Sequence, residues 1–447
     1  MTQKVLVIGS GFVSSPIVEE LAGEENISVT VASRSIGNAR ELADKFNCNA
    51  IALDATNADA LDAALADHDI VISLIPYVYH EGVVRSAIRQ KKNVVTTSYI
   101  SDALKALEPE IIEAGITVMN EIGLDPGIDH LYAVKTIDEV HRAGGKIKSF
   151  ISYCGGLPAP DAKNNPFGYK LSWSCRGFLL SLLNSARYLK NGKIETIAAE
   201  DLMASSEPFK VTEELQFECY PNRDSTKFKE LYQIPEAETF IRGTLKFPEF
   251  MPLAKGLLDL GMFDQKQNPI FASEAQWKDA FAQYVGAASS SKEDLEAAID
   301  AKLQFKNQEE RQHFIGACEW IGFFSDIPIS PRGTALDVLS ARLETLMQYK
   351  EGERDMICLQ HVFGIEWADG STETRKSTMV TYGEPNGYKT MATAVSYPCF
   401  IATKLVLDGT IKGPGLLAPY SPEINDPIMK ELKERYGIFL EETTVDA

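Results

Sequence analysis

KVLVIGSGFVSSP (Lys4–Pro16) is the stretch whose reading decides the first domain. Lys4 to Ile8 read as a short apolar strand, and Gly9-Ser10-Gly11 breaks it where a helix should begin. Gly9 suits the tight turn and Gly11 lets backbone approach a pyrophosphate. The N-terminus of the following helix offers N–H groups and a partial positive charge to that ligand. Ser14 stands where the usual G-x-G-x-x-G pattern has its third glycine, and keeps a small residue at the helix–strand contact. Pro16 falls in the first turns of the helix, where a missing N–H costs little. A tight turn without a ligand is the plainer reading of a lone G-x-G. Its place behind a buried-type strand and ahead of further strand–helix units favours a dinucleotide, with Ser10, Gly11, Phe12 and Val13 as the contacting loop.

Outward from this stretch, strand-like runs (ISVTVASRS, NAIALDAT, DIVISLIP, NVVTTSY, GITVMNEIG) alternate with amphipathic segments at about 12–22, 37–46, 58–66, 80–90 and 101–114. That alternation predicts βαβ crossovers and a doubly wound, Rossmann-like parallel sheet over residues 1–125. Ligands of such sheets sit beyond the carboxyl ends of the strands. Here those ends carry Ser33-Arg34-Ser35, Asp54-Ala55, Ile75-Pro76, Thr97-Ser98-Tyr99 and Glu121 to Pro126, with Leu124-Asp125-Pro126 among the expected cofactor contacts. An NAD site places Asp or Glu after the second strand to take the ribose 2′-hydroxyl. Ser33 and Arg34 suit a 2′-phosphate instead, so NADP(H) is expected. The plain reading of Arg34 is a surface arginine paired with nearby acids. Asp54 either meets the adenine amino group or starts the turn DATN.

The rest of the 447 residues suits one or two more domains. Beyond residue 145, KIKSFISYCGG and TLKF look like strands of another sheet, and DMICLQHVFGIEWADGSTETRKSTMVTYG reads as a hairpin turned at Ala368-Asp369-Gly370. Residues 126–252 with 348–390 are expected to form an α/β mixed-sheet domain for substrate and dimerisation, and 253–347 a helical insertion. Ser291 is placed to cap a helix in a capping box with Asp294. Residues 391–447 read as a long helix and a Pro/Gly-rich return packing on the first domain.

A formal charge of −19 argues against nucleic acid or an anionic membrane as partner. Lys91-Lys92 and HRAGGKIK (141–148) are too short to reverse that. Seven scattered cysteines with no C-x-x-C argue against a disulfide framework and a zinc site, and no metal is expected. No basic-then-apolar leader and no run of ~18 apolar residues is visible, so a cytoplasmic protein without a membrane span is expected.

NEIGLDPGIDH, SYCGGLPAP, CYPNRDS, RGTL and DGTIKGPGLLAPYSPEINDPIMKEL, together with IGSGFV, VVISLIPY and VVTTSYIS, resemble saccharopine reductase. That family is the NADP-dependent, L-glutamate-forming saccharopine dehydrogenases of the fungal α-aminoadipate route to lysine. The resemblance runs over essentially the whole chain. It implies a Rossmann domain, an α/β domain and a helical domain in a homodimer. It also implies reductive condensation of L-2-aminoadipate 6-semialdehyde with L-glutamate, through an imine that NADPH reduces to saccharopine. An imine of two amino-acid skeletons carries three carboxylates, so fixed cations are needed, and Arg223 and Arg242 are candidates. Ser98, Tyr99, Asp125, Trp173, Gly243 and Thr244 complete the expected substrate contacts. Proton transfers near the reacting carbon call for donors. Tyr99, Asp125 and Cys154 are expected on three strand-end loops facing the nicotinamide.

Plainer readings stand beside these. Asp125 in Leu-Asp-Pro-Gly suits a turn, Cys154 a packed strand position, and Arg223 a surface pair with Asp224. His80 and His130 either titrate near pH 7 or serve as a helix start and a packing residue. The substrate amines can also carry the protons themselves, leaving the enzyme to position them. Two rivals remain: the NAD-linked saccharopine dehydrogenase half of bifunctional lysine-degrading enzymes, and a non-catalytic NADP-binding sensor. An acid at position 33 or 34 would favour the first, and the substrate-side strings argue against the second.

Overall fold

The computed structural model describes residues 2–445, which fall into two compact units. The first comprises residues up to 148, 230–236 and 361 onward; the second comprises 149–229 and 237–360. In chain order the strands are β1 (Gln3–Ile8), β2 (Ile27–Ser33), β3 (Asn49–Ala52), β4 (Ile70–Ser73), β5 (Asn93–Thr96), β6 (Thr117–Met119), β7 (Lys146–Pro158) and β8 (Ala186–Lys190). There follow β9 (Lys193–Ile197), β10 (Glu207–Lys210), β11 (Gln216–Pro221), β12 (Thr239–Lys246), β13 (Asp355–Glu366), β14 (Thr372–Tyr382), β15 (Gly415–Leu417) and β16 (Glu441–Val445).

In the first unit a parallel sheet runs β3-β2-β1-β4-β5-β6-β15. Val5, Leu6, Val7 and Ile8 are all buried although successive side chains point to opposite faces, the signature of a sheet covered on both sides. Leu6 and Ile8 join Leu61, Val83 and Ile111 of the helices Ala58–Ala66, His80–Gln90 and Glu108–Ala114 in one core. Elsewhere in the unit, helix Ser14–Ala22 packs against helix Thr390–Leu407, and Ser396 Oγ donates to the Val13 carbonyl. The doubly wound domain is as expected. Strand order reverses between β1 and β4, so a crevice opens at their carboxyl ends.

Two details of the C-terminal region correct the sequence reading. Helix Thr390–Leu407 is, by length and composition, apolar enough to cross a membrane, against the expectation that no run reaches that length. Thr393, Ser396, Pro398 and Thr403 interrupt the run to the eye, yet most of the helix is buried in the unit, as befits a core helix. The return segment also holds a 15-residue helix, Pro422–Tyr436, and supplies β15 as a seventh strand on β6. The hairpin of β13 and β14 turns at Gly370 (φ +82°), with Asp369 Oδ1 accepting the Ser371 N–H at 2.9 Å.

The second unit holds a mixed sheet in which β10-β11-β12 are antiparallel, β7 lies parallel to β12, and the β8–β9 pair joins β12. Helices dominate its stretch 250–346; Phe281 and Phe323 stack there at 4.4 Å. Ser291 caps helix Lys292–Lys302 by accepting the Asp294 N–H at 3.2 Å. The returning half of the capping box is absent: the Ser291 N–H and the Asp294 carboxylate both bond Ser289 Oγ.

Candidate active site

Gly9 (φ +124°) makes the turn after β1, and a Cβ there would lie 3.0 Å from the Leu74 carbonyl oxygen at the end of β4. Gly11 differs. A Cβ there would meet nothing within 4 Å, so the open space beside it suits an incoming group rather than the chain. Helix Ser14–Ala22 begins at Val13 without a side-chain cap; its Ser14 N–H donates to the Gly11 carbonyl at 3.1 Å and Pro16 has none, so Ser15 is the N–H of that first turn left for a ligand. Ser10 and Val13 are half-buried, whereas Phe12 is exposed. Ile75 is half-buried after β4, and beyond it Tyr77, Val78 and Tyr79 form an exposed short turn. Sequence reasoning passed over those three residues, although an aromatic pair behind Pro76 at a strand end was the available signal.

Ser33 ends β2, with Arg34 and Ser35 exposed behind it and no acid at that place. Asp54 is a turn former: its carboxylate accepts the Thr56 N–H (2.9 Å) and hydroxyl (2.7 Å), which hold it below the usual range, and Ala55 follows half-buried. An uncapped helix start, an open Gly11 and an arginine where a 2′-hydroxyl partner would be acidic fit NADP(H).

Beyond β5 and β6 the unit gathers its hydroxyls and carboxylates. The Tyr99 hydroxyl donates to Asp125 Oδ1 at 2.6 Å, so these two predicted residues meet. Thr97 and Ser98 are half-buried beside Tyr99, while Leu124 and Pro126 are buried either side of Asp125. His80 Nδ1 bonds Ser73 Oγ (2.9 Å), and its Nε2 bonds Ser98 Oγ (3.0 Å) and Thr96 Oγ1 (3.1 Å). Burial pushes its pKa down to about 4, so it is neutral at pH 7 and does not titrate there; its part is to fix Ser98.

Glu121, which the sequence reading set at a strand end without giving it a role, sits buried behind this group with φ +60°. It accepts the Ile100 N–H (2.9 Å) and the Tyr420 hydroxyl, and its Oε2 lies 2.9 Å from His130 Nε2. Burial alone would raise its carboxyl; His130, Tyr420 and Ile100 together outweigh that and hold it at about 2. His130 is fully buried, its Nδ1 bonded to the Tyr232 hydroxyl at 2.5 Å. The anchor thus pins the backbone next to Tyr99.

In the second unit, Cys154 does not stand on a loop. It lies inside β7, opposite Thr244 of β12, because Gly155 and Gly156 continue the strand: a Cβ on Gly155 would strike Leu245 at 2.9 Å. Arg242, Gly243 and Thr244 are consecutive on β12. Arg242 is buried with its guanidinium 4.2 Å from the Phe228 ring centre, and its N–H donates to Ser225 Oγ at 3.1 Å. Gly243 admits no side chain, since a Cβ would sit 2.2 Å from the Tyr220 carbonyl oxygen. Thr244 Oγ1 accepts from Asn222 Nδ2 at 2.8 Å, a partner not foreseen. Arg223 is exposed with φ +52° in the turn after β11, and its neighbour Asp224 pairs with Arg187 at 3.1 Å. Trp173 is exposed ahead of helix Cys175–Ser181. Arg242, Thr244 and Cys154 are therefore brought together, and Arg223 directly follows Asn222, the partner of Thr244.

Models of the saccharopine dehydrogenase NADP-binding domain and C-terminal domain match residues 5–119 and 123–438. The chain belongs to the saccharopine dehydrogenase family. The saccharopine dehydrogenase (NADP(+), L-glutamate-forming) of Saccharomyces cerevisiae is 63% identical over 445 residues, covering 100% of both chains. The protein of that name from Pyricularia oryzae is 51% identical over 448 residues, covering 99% of each. A solved apo structure of the histidine-tagged S. cerevisiae enzyme matches with a TM-score of 0.92, over 99% of this chain and 100% of that one. The mitochondrial alpha-aminoadipic semialdehyde synthase of Bos taurus is 39% identical over 99% of this chain, which spans only 48% of that protein. In this family the segment that holds the G-x-G turn and Arg34 is the NADP-binding domain.

Proposed function

We propose that the protein condenses L-2-aminoadipate 6-semialdehyde with L-glutamate and reduces the imine with NADPH to L-saccharopine, reversibly, in lysine biosynthesis. The observation that carries this is the end-to-end likeness, at 63% identity, to a NADP-dependent, L-glutamate-forming enzyme. NADPH supplies the hydride. Ser10 to Val13 and the helix start cradle its pyrophosphate, and Arg34 takes the 2′-phosphate. Tyr99, hydrogen-bonded to Asp125, and separately Cys154 are the proton-handling groups. Arg223 and Arg242 take substrate carboxylates, with Ser98, Trp173, Gly243 and Thr244 shaping the rest of the contact. The enzyme is read as a cytoplasmic homodimer joined through its substrate domain.

NADPH absorbance at 340 nm decides the reaction: it should fall only when semialdehyde and glutamate are both present. Loss with either alone, or with NADH equally well, would overturn the reading. Light scattering at micromolar concentration should give twice the 49.3 kDa of one chain, and a monomer mass would remove the dimer.

A further inference from the structure

Helix Ile128–Arg142 follows the Asp125 loop, and helix Pro422–Tyr436 packs beside it within the first unit. Between the second half of one and the first turns of the other lies a recess of about 190 Å³. Lys135, Asp138, Glu139 and Arg142 line it from the first helix, and Asn425 and Asp426 from the second. Asn425 is the unusual member. It is only 1% exposed, yet neither its Oδ1 nor its Nδ2 has a hydrogen-bond partner among the described residues. A buried amide without partners carries its whole desolvation cost, and such groups are rare in native chains unless something further meets them.

The charges around Asn425 divide by what they already hold. Lys135 Nζ lies 3.0 Å from Glu139 Oε1 and 2.9 Å from Glu442 Oε1, so that cation and both acids are committed. Arg142 has only a loose pair with Asp138 at 3.8 Å, longer than a hydrogen bond. Asp426 is exposed, and its carboxylate has no ion pair or hydrogen bond among the described residues. A guanidinium, a carboxylate and an amide that can both donate and accept are therefore left to a ligand. Three lining carboxylates oppose a simple anion, and no group of three His, Cys, Asp or Glu side chains able to hold a metal ion occurs among the described residues. A ligand bearing both signs fits: its carboxylate forks onto Arg142 and takes the Asn425 N–H, while its ammonium donates to Asp426 and to Asn425 Oδ1.

Two lining cations stand against three carboxylates, which favours one more positive charge on the ligand. Val134, Pro422 and Met429 supply the apolar part of the wall, suited to a methylene chain. The volume is well below the roughly 300 Å³ at which drug-sized pockets begin. We propose that this recess binds a free α-amino acid carrying a second ammonium at the end of an unbranched side chain.

The site does not depend on the reaction proposed above, and its test needs no turnover: L-lysine is titrated calorimetrically into the full chain. Saturable binding with a Kd of about 1 mM or below is expected. L-Norleucine, which lacks the second ammonium, and 1,5-diaminopentane, which lacks the carboxylate, should each bind at least about tenfold more weakly. Arg142→Gln and Asp426→Asn, both at exposed positions, should each weaken lysine by about tenfold or more and leave NADPH binding by fluorescence unchanged. Asn425→Leu, which exchanges the amide for an apolar group of similar size, should do the same. Absence of saturable binding below about 10 mM overturns the proposal, and so does norleucine bound as tightly as lysine. Lysine affinity unchanged in Arg142→Gln and Asp426→Asn would put the amino acid elsewhere, the substrate contacts included, and overturns it too. Those two variants decide the matter even if Asn425→Leu does not fold.

Discussion

The two units bury charge by opposite means. In the first, Glu121 is an anion met by two donors and an imidazole. In the second, Arg242 faces the Phe228 ring and Lys246 sits among three rings with Cys154 as its electrostatic neighbour. A partnered anion rigidifies what it touches. A ring face attracts a cation without neutralising its charge. The first arrangement is a brace beside Tyr99; in the second, ring faces stand where the first has donors.

The sharpest way to break this contrast is Glu121→Ala. If the anion is a brace, losing it strands His130 and the Ile100 N–H, and unfolding free energy from urea titration should drop by roughly 3–5 kcal/mol. A loss below about 1 kcal/mol would mean that the cluster braces nothing.

His80 extends the contrast to pH. Its folded pKa of about 4 lies below the unfolded value near 6.5, so the unfolded state takes up the proton first. Its contribution is therefore complete above pH 6.5 and lost as pH falls toward 4, on the order of 3 kcal/mol in all. Urea unfolding at pH 7 and pH 4.5 should show that part of the acid loss in the parent and not in His80→Gln. Identical pH slopes in both would remove the role.

Cation capture in the second unit is probed by Arg223→Ala. Saccharopine KM in the oxidative direction should rise about 30-fold, equivalent to ~2 kcal/mol for a charge-assisted pair, with NADPH binding by fluorescence unchanged. Weakened NADPH binding with an unaltered saccharopine KM would take Arg223 out of the substrate contact. At the rim of the first unit, Arg34→Asp should weaken NADPH over NADH by something on the order of 2 kcal/mol at most, since Arg34 is exposed and its contact is screened. Equal loss for both cofactors would end its assignment to the 2′-phosphate.

Much of the parallel sheet was legible because a strand buried on both faces is a run of aliphatic residues, and Gly9 to Gly11 punctuates the first run. Strand ends follow from strands, so Ser33, Arg34, Tyr99 and Asp125 could be placed at them, though not the bond between the last two. Three kinds of feature were not legible. β15 is three residues long and finds β6 only through folding. Cys154 was set on a loop because Gly155-Gly156 reads as a turn, whereas Gly155 is there for the close approach of Leu245. The burial of Lys246 and Glu121 was not legible, since burial of a charge depends on partners from distant segments: rings at 169, 178 and 250 for one, His130 and Tyr420 for the other.

β15 bears also on the order of events at the ribosome. β6 is synthesised nearly three hundred residues before the strand that covers it, so a nascent first unit carries an open edge through most of translation. Helix Thr390–Leu407, which closes over helix Ser14–Ala22, emerges equally late. The nucleotide end of the sheet is thus laid down first, and its completion waits for the last tenth or so of the message. During that interval the unpaired edge of β6 is the segment that a chaperone, or a neighbouring nascent chain, would find.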